Sequence, residues 1–187
     1  MVHPPLGKWL IALGLLVFGP GNPIGWRIVV ALLGVATVWL GIKCAERIFE
    51  GKIWANLAGF FLAIDGVGIV LSRTALLDQI LGFFALLAFY FLLRDLEDSS
   101  RYRPWLIAMS ISLGLATAVK WSGLYFLAVF ALYRVLVSAK RNYVAHRTIE
   151  SETGELDKKL WLIPTALEAA KSFVLVIVPA AISYLLS

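Results

Sequence analysis

The sequence predicts an all-α fold: a polytopic membrane bundle of about six transmembrane helices, with a re-entrant or interfacial helix at its N-terminal end. Three observations predict it. Hydrophobic residues make up 60% of the 187, and mean hydropathy is +0.85; a soluble domain is nearer half apolar, with about a quarter of its residues charged. Only 16% are charged here, and they cluster between apolar runs. Several of those runs approach the roughly 20 residues that a membrane helix needs. The whole of 1–187 reads as one transmembrane domain.

The elements follow in order. Pro4 and Pro5 bar a helix before Pro5, which can itself serve as the first helical residue. The apolar run from Trp9 to Phe18 is ten residues long. That is the length of a signal-peptide core, but no small-x-small cleavage site follows and the flanking charge is a single Lys8. Ten residues are also too few to cross a bilayer, so 5–18 is assigned a helix at one membrane face. Spans are predicted near 27–43, 53–71 and 76–93, the second containing Asp65. The segment 104–136 is too long for one span and is split by Lys120-Trp121. Reading it as a hairpin, 104–119 and 121–137, keeps the basic stretches on its two flanks on one side, as the positive-inside rule requires. The stretch 138–164 reads as a cytoplasmic loop, with 160–163 as an aromatic interface anchor. Pro164 followed by Thr165-Ala-Leu-Glu168 resembles a capping box, which starts a last span at 167–186.

Charge fixes the expected topology. Of the 17 Lys and Arg, 13 fall in 43–52, 94–103 and 134–171. These stretches are therefore assigned to the cytoplasm. His3, Lys8, Arg27, Arg73, Asp78, Lys120 and Trp121 then share the opposite face, with Asp65 in the outer half of its span. The net charge of +5 has this topological origin; no basic stripe with interleaved aromatics points to nucleic acid. The single Cys44 excludes an internal disulfide and a multi-cysteine metal site.

Four cations and two carboxylates near one membrane face suit a particular chemistry. Arginine bonds phosphate oxygens in a bidentate fork. A reaction that expels a polyprenyl phosphate needs cations where negative charge grows, and a carboxylate to accept the proton of an attacking hydroxyl. Structural readings stand beside this one. Lys8 and Arg27 also fit snorkelling to the interface, Arg73 fits a pair with Asp65 or Asp78, and Trp121 fits an aromatic belt.

Val2-His-Pro-Pro-Leu-Gly-Lys-Trp-Leu-Ile11 resembles the luminal-loop motif of protein O-mannosyltransferases. Gly25-Trp-Arg27, Asp65 with Ser72-Arg-Thr-Ala-Leu-Leu-Asp78, and Ala118-Val-Lys-Trp-Ser-Gly-Leu124 resemble further stretches of that family in the same order. The resemblance implies transfer of mannose from polyprenyl-phosphate mannose to Ser or Thr hydroxyls of an acceptor protein, on the non-cytoplasmic face, with inversion and without a metal or other cofactor. It implies an integral protein of a bacterial plasma membrane, or of the endoplasmic reticulum in a eukaryote, and a possible dimer. Lys8 and Arg27 would stand near the donor phosphate; Asp65, Arg73 and Asp78 would line or brace the site; Lys120 and Trp121 would share its outer cavity, and His3 would belong to the donor-phosphate and site-lining set. The family's catalytic Asp-Glu pair lies upstream of His-Pro-Pro, so the sequence reads as an internal fragment or a truncated product, inactive alone. Three alternatives remain: another polyprenyl-phosphate-sugar transferase, a non-catalytic lipid-binding membrane subunit, and a transporter with Asp65, Arg73 and Lys120 on an ion path.

Overall fold

The structure, a computed structural model, describes residues 3–98, 102–153 and 159–186. Among these residues the chain forms eight helices and no strand: α1 (Leu6–Phe18), α2 (Pro23–Ile48), α3 (Lys52–Ile64), α4 (Gly66–Arg73), α5 (Leu77–Glu97), α6 (Pro104–Val119), α7 (Gly123–Thr153) and α8 (Lys159–Leu185). Helices α2, α5, the 123–144 part of α7 and the 165–185 part of α8 are each long and apolar enough to cross a membrane. Helices α3 and α4 meet that length and composition only together, bent by 56° at Asp65, in the form of a broken span or a re-entrant loop. The chain is an integral membrane protein.

The fourth predicted span, 104–119, is the 16-residue α6. At about 1.5 Å per residue it is roughly 24 Å long, short of the ~30 Å hydrocarbon core. Its position accounts for its length. Leu106, Met109, Leu113, Ala116, Ala118 and Val119 are all fully buried, so α6 runs inside the bundle among other helices. Two clusters flank it. Ala88, Leu92, Leu106, Met109, Leu113 and Val176 form one, and Val30, Ile80, Leu81, Ala116 and Val119 form the other.

Ion pairs orient the helices. Asp95, late in α5, meets Arg103 at the start of α6 and Arg134 of α7. Asp78, in the first turn of α5, meets Lys120 at the end of α6. Helices α5 and α6 are therefore antiparallel, and α7 runs back alongside α6 from the break at 120–122. The predicted hairpin is present. Gly123 makes it tight: a Cβ there would collide with the backbone of Ala116 and Thr117.

Helix α1 lies across the Asp78–Lys120 end. Gly7 packs on Leu77 of α5 and Val119 of α6, while Gly14, two turns on, packs on the backbone of Gly25 in α2. The glycines let helix backbones approach closely. Leu6, Leu10 and Ile11 cover the buried cluster, whereas Trp9, Leu13, Leu16 and Val17 face outward. Pro5 caps this helix rather than opening it, and its carbonyl accepts from the N–H groups of Lys8 and Trp9.

Four expectations need correction. Helix α2 starts at Pro23, capped by the Asn22 side chain, and continues to Ile48 through residues assigned to a loop. The 53–71 span is broken at Asp65, not continuous. The stretch 138–164 is helical at both ends, since α7 runs to Thr153 and α8 begins at Lys159. Its first part contains Ala139, Lys140, Arg141, Ala145, Arg147 and Glu150, residue types that sustain a helix in water as well as in lipid. Finally, α8 starts before Pro164, which stands in its second turn and forgoes one intrahelical hydrogen bond. The side chains of 160–162 in the predicted aromatic anchor lie outside those described.

Candidate functional site

The site is built from helix ends. Lys120 follows the last residue of α6 in an extended conformation, with φ −154° and ψ 139°. Its N–H closes the helix on Ala116, and its carbonyl accepts from Gly123 at the start of α7. The break thus delivers the ammonium group to the end of the bundle, where Nζ lies 2.7 Å from Oδ1 of Asp78. Asp78 sits in the first turn of α5, where the helix dipole favours a carboxylate. Both partners are accessible: the Lys120 side chain is 30% and the Asp78 side chain 47% exposed.

The neighbours come from other helix ends. Trp121, 57% exposed, packs edge-on against Tyr184 near the end of α8. His3 precedes α1, and its Nδ1 is buried without a hydrogen-bond partner; Ser122 Oγ, close to Lys120 in sequence, is in the same condition. Lys8 lies in the first turn of α1, Arg27 in the second turn of α2, and Arg73 ends α4 five residues before Asp78. All three are exposed, and among the described residues none of them forms an ion pair. The structure therefore gathers His3, Lys8, Arg27, Arg73, Asp78, Lys120 and Trp121 at one end of the bundle.

Asp65 lies at the break between α3 and α4, where it lines a groove with Val35 and Val38 of α2. Packing of Gly41 on Leu62 and of Gly34 on Ser72 sets this register. Oδ2 of Asp65 accepts from the Gly68 N–H at 2.8 Å and caps α4. The expected pair with Arg73 is not formed; Asp65 serves its own helix terminus, and Asp78 takes Lys120. The groove has a volume of about 530 Å³ and is also lined by Thr37, Ser72 and Gln79. Gln79, next to Asp78 in the first turn of α5, donates to Thr37 Oγ1 at 3.1 Å and ties α5 to α2.

Sequence reasoning misses the cluster at the opposite end. Arg103 Nη2 lies 3.1 Å and Arg134 Nε 3.3 Å from the same oxygen of Asp95. The Arg134 contact is off the hydrogen-bonding direction and is ionic in character. Asp95 and Arg134 are sealed, with side chains 1% and 4% exposed. Nearby, Arg47 pairs with Glu97 and lies over the Tyr90 ring, and Arg94 stacks on Trp105. A carboxylate set among arginines at a span end is the available signal, and in a string of residues it looks like ordinary loop charge. No group of three or more His, Cys, Asp or Glu converges among the described residues.

Comparison with known proteins agrees with this architecture. Residues 16–186 match the dolichyl-phosphate-mannose-protein mannosyltransferase family. The chain belongs to that family. A polyprenol-phosphate-mannose–protein mannosyltransferase of Mycobacterium tuberculosis is 37% identical over 198 residues, covering 91% of this chain and 38% of the relative. One of the same description from Corynebacterium glutamicum is 37% identical, covering 73% and 30%. Dolichyl-phosphate-mannose–protein mannosyltransferase 6 of Saccharomyces cerevisiae is 29% identical, covering 71% and 20%. The chain spans little more than a third of the length of these relatives, or less.

Proposed function

We propose that this chain forms the donor-binding part of a membrane mannosyltransferase. The enzyme takes mannose from polyprenyl-phosphate mannose and places it on Ser or Thr hydroxyls of an acceptor protein. In that transfer the acceptor oxygen bonds to the anomeric carbon of mannose. The bond from that carbon to the phosphate oxygen breaks, and its electrons leave with the polyprenyl phosphate. The hydroxyl proton passes to a carboxylate base, which the family resemblance puts in the acidic pair ahead of His3.

The observation that carries this reading is the end of the bundle itself: Lys8, Arg27, Arg73 and Lys120 lie there beside apolar helices, and three of the four have no carboxylate partner among the described residues. Unpaired cations at the end of a membrane bundle suit a lipid-borne phosphate. Lys8 and Arg27 hold the donor phosphate, with Lys120 beside it; Arg73 and Asp78 line the site; His3 and Trp121 border it. Asp65 supports the site by capping the helix that ends in Arg73. The reaction face is the non-cytoplasmic one, because most cations outside this end lie in the stretches that the positive-inside rule keeps in the cytoplasm.

The test is transfer of labelled mannose from polyprenyl-phosphate mannose to a Ser/Thr peptide, in membranes where the protein is expressed from its native gene. Arg27→Ala is expected to lower transfer by about a hundredfold, as loss of a charge-stabilising donor does. Normal turnover in that variant would remove Arg27 from the phosphate. Absence of transfer by the unsubstituted protein would remove the function.

A further inference from the structure

Two ion pairs clamp opposite ends of the α5/α6 hairpin, and they differ in kind. In the Asp95 cluster, Asp95 and Arg134 are sealed from solvent with Arg103 partly exposed beside them, and together they hold α5, α6 and α7. The Asp78–Lys120 pair is open, about a third to a half exposed on each side. Its backbone spacing is set independently. The Leu77 side chain packs against Gly7, and Val119 packs there too, so the start of α5 and the end of α6 are held beneath α1 whether or not the pair forms. The open pair is thus free to exchange partners without loss of the fold.

From this contrast, and resting on the donor reading above, we infer that Asp78 is a built-in anion that competes with the leaving polyprenyl phosphate for Lys120 and promotes product release. The charges give the reason. The donor is a phosphodiester with one negative charge. Once the sugar leaves, the product is a phosphate monoester carrying about −1.5 to −2. Lys120 therefore holds the product more tightly than the donor, and the product would block the next cycle. A tethered carboxylate that re-forms a 2.7 Å contact with Nζ displaces it. While phosphate occupies Lys120, the Asp78 side chain turns to water, and its place in the N-terminal turn of α5 suits a free negative charge.

The test is product inhibition of mannosyl transfer, with the protein expressed from its native gene and farnesyl phosphate as the inhibiting probe. Asp78→Asn removes the competing charge at constant shape. It is expected to lower the inhibition constant roughly two- to fivefold, the range set by an exposed ion pair, and to lower kcat while leaving kcat/KM for the donor nearly unchanged, because release follows the transfer step. Lys120→Met is expected to raise the inhibition constant. An Asp78 that merely braced Lys120 would give the opposite sign in Asp78→Asn, weaker inhibition. An unchanged or raised constant in that variant overturns the inference, as does an unchanged constant in Lys120→Met. If Asp78→Asn fails to accumulate, Asp78→Ser, neutral and suited to a first helical turn, makes the same comparison. Inhibition of the unsubstituted protein with no change in the variants defeats the exchange alone. No inhibition of the unsubstituted protein defeats the donor reading and the exchange together.

Discussion

Replacing Asp95 with Ala should be among the most damaging single changes in the chain, worse than removing either of its arginine partners. Asp95 is the carboxylate that both Arg103 and Arg134 contact, and Arg134 is only 4% exposed. Without Asp95, the Arg134 guanidinium stays buried with its main counter-charge gone, a defect worth about 3–5 kcal/mol. Arg103 is 23% exposed and can turn its head toward water. Arg134→Met is milder, because Asp95 keeps Arg103 and the new side chain fills the space; about 1–3 kcal/mol is expected from the lost charged contact. For a chain of this length each kcal/mol moves Tm by about 2–4 °C, so Asp95→Ala should lower Tm by roughly 6–20 °C. Thermal unfolding in detergent micelles, followed by tryptophan fluorescence, reads this directly. The pair Asp95→Leu with Arg134→Met should be more stable than Asp95→Ala, since it removes the stranded charge. A Tm for Asp95→Ala equal to that of Arg134→Met, or a double variant no better than Asp95→Ala, would refute the reasoning.

Two further predictions concern packing and sidedness. A Cβ at Gly114 would strike the Ala180 backbone and Ser183, so Gly114→Val should separate α6 from α8 and cost about 1–3 kcal/mol; Gly82, mid-helix in α5 with open space around it, should gain about 0.5–1 kcal/mol on replacement by Ala. Opposite shifts of Tm in these two variants check the helix packing, and a drop for Gly82→Ala would contradict it. For sidedness, Cys44 is the only cysteine and is buried, so single cysteines can be introduced in a Cys44→Ala background. A cysteine at Leu76 should react with a membrane-impermeant maleimide from outside intact cells and one at Tyr102 only after lysis; the reverse pattern would invert the proposed topology.

Which features can be read from the sequence follows from which ones depend on long-range register. The class of fold is legible because bilayer thickness imposes a length on apolar runs, and a length is visible in a string of residues. The hairpin at 104–136 is legible for a related reason: basic residues sort to one side, and the structure puts Arg103 and Arg134 at the same end, both on Asp95. Helix ends are less legible. Helices α2 and α7 continue past their apolar runs into charged sequence that is itself helix-forming, so composition marks where lipid would end and not where the helix ends.

The candidate site divides along the same line. That Lys8, Arg27, Arg73, Asp78 and Lys120 lie at one end needs only topology, and it can be read in advance. Who pairs with whom needs the rotation of each helix and its offset against its neighbour. Arg73 lies five residues from Asp78 in sequence, Lys120 lies 42 away, and it is Lys120 that reaches the carboxylate. Sequence proximity favours Arg73 because the link between α4 and α5 is short. The packing of Gly7 against Leu77 and Val119 decides otherwise, by setting the end of α6 beside the start of α5. Arg73 is left without an ion pair among the described residues, and Asp65 is left to cap the helix that carries it. The accessible Asp78–Lys120 pair stands beside cations that have no ion pair among the described residues, and this arrangement rests on glycine contacts that no pattern of charge or hydropathy displays.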